Sequence, residues 1–307
     1  MKEVLVIYYS QTGQLRDIID HILEPFETDK VNVTYYQILP ETPYPFPWNK
    51  EKFFDVFPES FLQIPTKLKR PDNAILSKKY DLVLLGHQVW YLSPSIPLNS
   101  FLKSESAKKL LKDTPTITII GARNMWVMSQ EKVKKLLVDC KAELVGNIAL
   151  VDKNINHISV ITIVHWMMKG KKDRLWGVFP KPGVSSRSIQ AAKKFGRPIN
   201  ESLLQGDFSN LQQELVRLGA VKIKPSLVLM DKRANLLFSK WANFIIKKGG
   251  VGNPSRKKWL RFFNYYLLIA IWAIAPIVFI VFLLTYIPLY HKIKRDEKYY
   301  ASVELKE

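Results

Sequence analysis

Residues 4–15 read VLVIYYSQTGQL. The apolar run Val4–Tyr9 is typical of a strand that is buried on both faces. From Gly13 to Phe26 the apolar residues recur every three or four positions, as they do on the buried face of a helix. A strand, a tight turn that contains glycine and a helix open a doubly wound α/β unit, so this stretch decides the fold.

Further apolar runs predict the other four strands of the sheet: Val31–Ile38, Asp81–Gly86, Thr116–Gly121 and Glu143–Val151. Between them, Leu98–Leu111 and Ser129–Cys140 have helical composition, and Ser188–Leu204 is expected to be the closing helix. Near-continuous Val, Ile and Leu runs suit strands that are covered on both sides. The sequence therefore predicts an α/β domain with a five-stranded, parallel, doubly wound sheet.

Two segments do not fit this pattern and are predicted to be insertions, at about 39–70 and 154–185. In Leu39–Pro65 six prolines alternate with aromatic residues, which predicts an ordered loop because flexible linkers lack aromatics. In the second segment the apolar run Ile158–Met168 precedes a basic stretch. This run is either an interfacial or lid element or an ordinary amphipathic packing helix. Both segments are expected to wall a pocket.

Positive charge is concentrated in the second half of the chain. The net charge is +19, and residues 151–307 hold 27 Lys and Arg against 10 Asp and Glu. Such a surface attracts either nucleic acid or anionic lipid headgroups. The sequence contains no RNP, zinc-finger or helix-turn-helix signature. We therefore predict a membrane-lipid partner and no nucleic acid.

A hydrophobic tail supports the lipid partner. The 29 residues Phe262–Tyr290 include no formally charged side chain, and basic residues flank both ends. As a helix they measure roughly 43 Å at about 1.5 Å per residue, more than the roughly 30 Å of a bilayer core. Because Pro276 lies in the middle and both flanks are basic, a kinked or tilted span and a re-entrant hairpin both remain open.

These features predict three parts: a domain over residues 1–205, a basic helical extension over 206–255 and a membrane anchor with a short tail over 256–307. The first apolar run is too short for a signal peptide, so the expected location is the cytoplasmic face of the inner membrane. Cys140 is the only cysteine, which excludes an internal disulfide and a cysteine-based metal cluster. No metal site is predicted.

The turn after the first strand is suited to a phosphate. A phosphate at this turn meets unpaired helix amides, the positive end of the helix dipole and the hydroxyls of Ser10 and Thr12. Open α/β sheets bind ligands beyond the carboxyl ends of their strands, which is where this turn lies. The turn lacks the Lys-Ser/Thr pair of a P-loop, so hydrolysis of nucleoside triphosphates is not expected.

The motif Y-Y-S-x-T-G at residues 8–13 resembles the FMN-phosphate loop of the flavodoxin family. The resemblance covers about residues 1–150 and a closing helix near 188–204. It implies a phosphate site formed by Ser10, Gln11, Thr12, Gly13, Gln14 and Leu15. The family usually continues with Asn and Thr, and Leu15 removes one of its hydroxyls.

Residues 86–95, GHQVWYLSPS, resemble the second flavin loop of the same family. This resemblance implies ring contacts from Gln88, Val89, Trp90, Tyr91 and Ser93. In the third loop, after the fourth strand, the corresponding candidates are Gly121, Arg123 and Asn124. Arg123 or Asn124 would stabilise negative charge at the pyrimidine end of a reduced flavin, or either is simply a helix-start residue.

The whole chain is similar to the flavodoxin-like enzymes of bacterial dialkylresorcinol and flexirubin pigment biosynthesis, the dialkylresorcinol condensing enzymes or aromatases. This resemblance implies FMN-dependent aromatisation of an alkylated cyclohexanedione, a lipophilic small molecule, beside a ketosynthase. His87 or Tyr91 would act as the catalytic base. Condensation itself is disfavoured, since the chain has no Cys-His-His set.

Other functions remain open at this stage. A quinone or FMN reductase with NAD(P)H as co-substrate needs the same flavin and the same access to lipid. A one-electron carrier is disfavoured because simple flavodoxins are small and acidic, whereas this chain is long and basic. An anchored scaffold without flavin is the remaining alternative.

Overall fold

The computed structural model describes residues 1–306. Its strands are β1 (Lys2–Tyr8), β2 (Val31–Gln37), β3 (Leu82–Trp90), β4 (Ser93–Pro94), β5 (Pro115–Ala122) and β6 (Glu143–Val151). All neighbours in the main sheet are parallel, and the two-residue β4 pairs antiparallel with the end of β3.

The strand order is β2-β1-β3-β5-β6. Counting only the parallel strands, this is the 2-1-3-4-5 order of flavodoxin-like doubly wound folds, so the predicted fold class is confirmed. The order reverses between β1 and β3, where Tyr8 pairs with Gln37 on one side and Gly86 on the other. Ligands of this fold bind beyond the strand ends at such a switch point.

Helices cover both faces of the sheet because successive side chains of each strand point to opposite sides. Val4 and Val6 of β1 face α1 (Gln14–Leu23) and its neighbours, whereas Leu5 and Ile7 face the opposite helix layer. The remaining helices of the two layers are α5 (Ile96–Leu102), α6 (Glu105–Leu111), α7 (Val127–Asp139), α9 (Ser186–Gln190), α10 (Lys193–Gln205) and α11 (Leu211–Arg217).

Several predicted element boundaries were wrong. Strand β3 continues four residues beyond Gly86, to Trp90. The predicted helix Leu98–Leu111 is two helices, because Ser104 caps α6 by accepting the Ala107 N–H at 3.2 Å. The predicted closing helix is likewise divided into α9 and α10.

The two predicted insertions lie at the carboxyl edge of the sheet. The first insertion contains α2 (Lys50–Asp55) and α3 (Phe57–Phe61). The short helix α4 (Asn73–Leu76) follows it along the chain. The second contains α8 (Asn156–Lys169). Trp48 N–H donates to the Met167 carbonyl at 2.7 Å, so the two insertions contact each other.

The rest of the chain is helical: α12 (Pro225–Ile246), α13 (Lys257–Ile269), α14 (Ala275–Thr285) and α15 (Tyr290–Ala301). A π-helical turn at Ala270–Ile274 joins α13 to α14, so that Pro254–Thr285 forms one continuous helix of 32 residues. Among residues 1–306 this is the one helix long and apolar enough to cross a membrane, judged by length and composition alone. We call it the apolar helix.

After the apolar helix the chain returns to the domain. Tyr299 and Tyr300 of α15 are buried in the same hydrophobic cluster as Val4 of β1 and Leu15 of α1. Leu211 and Leu215 of α11 belong to this cluster as well. The extension and the tail therefore share one core with the sheet domain.

Candidate cofactor and substrate site

A cavity of about 420 Å³ lies at the carboxyl ends of β1, β3 and β5. Its volume falls within the range of roughly 300–1,000 Å³ that is usual for ligand sites. The three loops that the sequence predicted as ligand loops all contribute to its wall, and so do α8, α12 and the apolar helix. The cavity is therefore shared between the sheet domain and the parts of the chain that follow it.

The structure brings ten of the predicted cofactor residues to the cavity wall: Gln11, Thr12, Gln14, Leu15, Gln88, Val89, Trp90, Tyr91, Gly121 and Arg123. Four others are not on its wall: Ser10, Gly13, Ser93 and Asn124. Contact between any of these residues and a cofactor stays a prediction.

The turn between β1 and α1 has the features of an anion site. Gly13 precedes the helix with φ of 78°, a left-handed conformation, and the position of its absent Cβ faces open space. The Ser10 hydroxyl is buried without a hydrogen-bond partner within residues 1–306. A phosphate at the first turn of α1 would meet free amides and this hydroxyl, so the residues present fit the phosphate of FMN.

Gln14 has a contact that the sequence did not predict. Its amide forms two hydrogen bonds with the backbone of Val184, at 3.1 Å and 3.0 Å. A side chain on neighbouring Gly183 would lie 2.7 Å from Trp166 and 2.8 Å from Gln14, so only glycine permits this approach. The second insertion therefore closes over the start of α1.

Leu15 also differs from its predicted environment. Its side chain is only 1% exposed and belongs to the hydrophobic cluster between the sheet and α1. Where the flavodoxin family has a hydroxyl, this chain has an apolar contact that fixes α1 to the sheet.

Lys172 Nζ donates to the Val184 carbonyl at 3.3 Å, which brings a cation near this end of the cavity.

Trp90 lies in a group of aromatic side chains. Its ring makes edge contacts with Tyr9, Tyr44 and Trp48, at centroid distances of 5.9, 5.2 and 5.5 Å. Trp48 Nε1 also donates to Gln11 Oε1 at 3.2 Å. The first insertion, which supplies Tyr44 and Trp48, is thus packed against the first two predicted flavin loops. This packing holds Trp90 in place at the cavity wall.

Polar groups at the other end of the cavity come from β3 and β5. Gln88 Oε1 is buried without a hydrogen-bond partner among the described residues. An unpaired buried acceptor is costly, and an N–H of a bound flavin ring would satisfy it. The unpaired Gln88 oxygen is therefore a second feature, after the unpaired Ser10 hydroxyl, that fits a bound FMN.

Arg123 supplies a positive charge to the cavity wall. Its guanidinium donates to Asn156 Oδ1 at 2.8 Å, and Asn124 Nδ2 donates to the same oxygen at 2.8 Å. Burial lowers the pKa of Arg123 to about 10, partly offset by the charge of Asp152. Arg123 is therefore protonated at neutral pH and its orientation is fixed by α8.

The geometry does not support His87 as a catalytic base. Its side chain is fully buried and is absent from the cavity wall. In the alternating pattern of β3 it points into the helix layer of α7, where Nε2 lies 3.1 Å from Gln130 Oε1. Burial lowers the pKa of His87 to about 4, so a neutral imidazole in the core is the ordinary state.

Tyr91 and Ser93 are also committed to structural contacts. The Tyr91 hydroxyl donates to the Phe53 carbonyl at 2.6 Å, and burial raises its pKa well above the ordinary value, so it is a poor base. The Ser93 hydroxyl accepts from Lys132 Nζ at 2.6 Å and donates to the Phe61 carbonyl at 3.2 Å. Tyr91 adopts φ of 49°, a strained left-handed conformation at the cavity wall.

The sequence missed one entire wall of the cavity. It is formed by α12 and the apolar helix, with Met230, Phe238, Tyr266, Leu267, Ala270 and Ile274 among its residues. No local motif marks these positions, since they reach the site only through packing of distant helices.

Among residues 1–306, no three His, Cys, Asp or Glu side chains come together as metal ligands would.

Solved structures of flavoproteins resemble the sheet domain. A Lactobacillus acidophilus flavoprotein in complex with FMN is 15% identical, with a TM-score of 0.39, over 48% of this chain and 92% of its own. A Bacteroides eggerthii protein described as a flavoprotein is 18% identical, with a TM-score of 0.38, over 50% and 91%. Two-electron reduced Megasphaera elsdenii flavodoxin is 18% identical, with a TM-score of 0.31, over 50% and 89%.

No protein-family model matches the chain, and no curated protein sequence matches it significantly. At such low identities and scores the solved structures indicate a likeness in fold alone. The assignment of the fold rests on the strand order within the chain itself.

Proposed function

We propose that this chain is a membrane-associated, FMN-dependent oxidoreductase that acts on a lipophilic ring substrate. The observation that carries the proposal is the cavity, in which three strand-end loops of a flavodoxin-like sheet meet an apolar wall from the apolar helix. A cavity with a polar end and an apolar end suits a cofactor with a phosphate and a substrate with a hydrocarbon part.

In this proposal the residues of the first loop hold the phosphate. The amides at the start of α1, together with the hydroxyls of Ser10 and Thr12, would bind the phosphate dianion. Gln14 keeps the second insertion closed over this end through its two hydrogen bonds to Val184. This closure would keep water away from a bound phosphate and so strengthen its electrostatic interactions.

The residues of the second and third loops orient the ring. Trp90, on the cavity wall, would give the ring an aromatic contact, and the unpaired Gln88 Oε1 would accept a hydrogen bond from it. Bound FMN supplies hydride-accepting, two-electron chemistry. Arg123, a fixed positive charge on the same cavity wall, would stabilise a negatively charged reduced ring and so favour reduction.

The substrate that we propose is an alkylated cyclohexanedione, which loses two hydrogen atoms and becomes a dialkylresorcinol. The side chains of Leu267 and Ala270, with their neighbours on the apolar helix, offer an apolar surface for its alkyl chains. A ketosynthase that builds this substrate is the partner implied by the likeness to the pigment-forming enzymes. Neither His87 nor Tyr91 is well placed to remove the ring proton, so we assign no base.

An NAD(P)H-dependent quinone or FMN reductase is the second candidate, because it needs the same cavity and the same apolar wall. A one-electron carrier is less well supported. Carriers expose the edge of their flavin, whereas here α8, α12 and the apolar helix surround the cavity.

The first test is the absorbance spectrum of the full chain purified in detergent, with mass spectrometry of any small molecule released by heat. We expect flavin bands and the mass of FMN, with about one FMN per chain. Anaerobic addition of an alkylated cyclohexane-1,3-dione should then bleach the flavin and yield the resorcinol. Bleaching only by NAD(P)H would favour the reductase, and a colourless chain that takes up no FMN would overturn both.

A further inference from the structure

The apolar helix is long enough to cross a bilayer, but its environment is unusual for a membrane span. Its 32 residues measure roughly 48 Å at about 1.5 Å per residue, against a hydrocarbon core of roughly 30 Å. Only 6% of its most apolar stretch is buried within the protein. The position of its two ends decides whether it crosses.

The amino-terminal end is tightly attached to the domain. Arg256 is fully buried, and its guanidinium donates to Glu59 at 2.7 Å and contacts Asp55 at 2.9 Å. About two turns further on, the ring of Phe263 stacks on Phe57 of α3 with a centroid distance of 3.7 Å. The helix therefore starts on the surface of the sheet domain.

The chain that follows the helix is attached to the same domain. The Tyr299 hydroxyl donates to Glu131 of α7, and Gln212 Nε2 of α11 donates to the Ala301 carbonyl at 2.6 Å. Tyr300 is buried in the core cluster of the sheet. The carboxyl-terminal helix α15 thus lies on the same side as the sheet domain.

The middle of the apolar helix also lies against the domain. His157 Nε2 of α8 donates to the carbonyl of Ile271 at 3.0 Å. Phe282, near the end of the helix, is 9% exposed. If the helix crossed a bilayer, the residues after Thr285 would be separated from the domain by the hydrocarbon core, and the contacts of α15 would not form.

We propose that the apolar helix is an in-plane membrane-docking element that does not cross the bilayer. Its outward face enters one leaflet, while both of its ends stay with the domain. The inference rests on the membrane association in the proposed function and adds its topology. It also assigns a partner, the surface of a bilayer that contains anionic lipids.

The outward face has the chemistry of such a contact. Large apolar side chains are exposed along it, including Phe262, Ile269, Ile277, Ile280 and Leu284. Monomeric proteins rarely expose so continuous an apolar surface to water. Basic side chains that make no salt bridge within residues 1–306 lie exposed at both ends of the face: Lys258, Arg261, Lys292 and Arg295. Amphipathic elements with this charge distribution bind anionic headgroups.

Another side of the same helix lines the cavity, through the half-buried Tyr266, Leu267 and Ala270. One helix therefore separates the acyl layer from the cavity. A lipophilic substrate dissolved in that leaflet has only this single layer of side chains to pass before it reaches the cavity.

Sidedness is tested with single-cysteine variants of the full chain. The only native cysteine, Cys140, is buried, and a Cys140→Ser background leaves no thiol. Lys298→Cys on α15 reports the side of the tail, and Lys109→Cys on α6 is the matched reference for the domain; both positions are exposed. Each variant in sealed membrane vesicles is treated with a membrane-impermeant maleimide, before and after permeabilisation.

We expect both cysteines to be labelled from the same side, to an extent that is equal within twofold. Labelling of Lys298→Cys only from the side opposite to Lys109→Cys would show a crossing helix and would overturn the proposal. Thermal unfolding like that of the parent chain shows that the fold of both variants is intact. Because the labelling itself needs no FMN, this result does not depend on the flavin chemistry.

The lipid partner is tested by flotation with vesicles. The full chain should float with vesicles that contain phosphatidylglycerol, and several-fold less with pure phosphatidylcholine. Arg261→Glu combined with Lys292→Glu should reduce flotation several-fold, whereas Lys109→Glu should not. A chain that keeps FMN but does not float, and instead forms a dimer in dilute detergent, would identify a second copy as the occupant of this face and overturn the docking proposal alone.

Discussion

The Gln14 side chain and the backbone of Val184 form a closed pair of hydrogen bonds across 170 positions of the chain. Gln14 Nε2 donates to the Val184 carbonyl at 3.1 Å, and the Val184 N–H donates to Gln14 Oε1 at 3.0 Å. Gln14, one of two residues that depart from the flavodoxin pattern in the predicted phosphate loop, therefore fastens the second insertion over that loop.

Replacing Gln14 should weaken FMN binding. Gln14→Ala removes both hydrogen bonds, each worth about 1 kcal/mol, so the dissociation constant should rise about tenfold or more. The measurement is a titration of apoprotein with FMN, followed by flavin fluorescence. Gln213→Ala, at an exposed position on α11, is the control and should bind FMN like the parent chain. An unchanged affinity in Gln14→Ala would show that the closure is irrelevant to the cofactor.

Arg123 should set the reduction potential of bound FMN. Because its charge would stabilise reduced flavin, Arg123→Gln should make the midpoint potential more negative by about 30 mV, which is about tenfold in equilibrium for a two-electron couple. Spectroelectrochemical titration measures this shift. Arg123→Lys should retain most of the potential, and the exposed Arg217→Gln should not alter it. A potential equal in all variants would place the flavin ring elsewhere.

Asp231 of α12 should make stability depend on pH. Its carboxylate is 1% exposed and accepts the N–H of Met128 at 3.1 Å, and burial raises its pKa to about 7, with Lys132 opposing the rise. The folded pKa exceeds the unfolded value of about 3.9, so this contribution to stability is complete below about pH 4 and is lost as pH rises through about 7.

Asp231→Asn keeps an oxygen that accepts the Met128 N–H but cannot ionise. We expect a higher melting temperature than the parent chain at pH 8 and a flatter pH profile between about pH 4 and 7. Thermal unfolding in detergent at a series of pH values measures both. Asp139→Asn at the exposed end of α7 serves as the control. A parallel profile for Asp231→Asn and the parent would contradict the assignment.

Arg256 should be essential for attachment of the apolar helix. Arg256→Ala leaves Asp55 and Glu59 without their cation in a largely buried position, which typically costs about 3–5 kcal/mol of folding free energy. The neighbouring Lys257→Ala removes only a fully exposed pair with Glu51, which contributes little to stability because water and salt screen it. Denaturation in detergent compares the two, and equal losses would contradict the structural role of Arg256.

The sheet could be predicted from the sequence because its strands are short uninterrupted runs of Val, Ile and Leu. Val4–Ile7 and Leu82–Leu85 carry this local signal in full. The predicted phosphate loop followed from the same signal, since a turn at the end of the first strand has a fixed position in such a fold. The prediction of a catalytic base failed, because it depends on which face of the sheet a side chain occupies.

His87 illustrates that failure. It follows Leu85 by two positions on β3, so both side chains face the same helix layer, and the strand had only to be extended beyond Gly86 to reveal this. The Gln14–Val184 pair and the wall from Tyr266 carry no such local signal. They depend on contacts between residues that are distant in sequence, which a local pattern does not encode.

The attachment of both ends of the apolar helix has a consequence for biosynthesis. A chain is made from its amino terminus, and domains generally fold as units in that order. The sheet with its helices up to Gln205 therefore emerges before the apolar helix, and it presents α3 and α8 as a ready surface for Phe263 and Ile271. Membrane-insertion machinery that meets this helix competes with a folded domain for it, and the order of synthesis favours the domain.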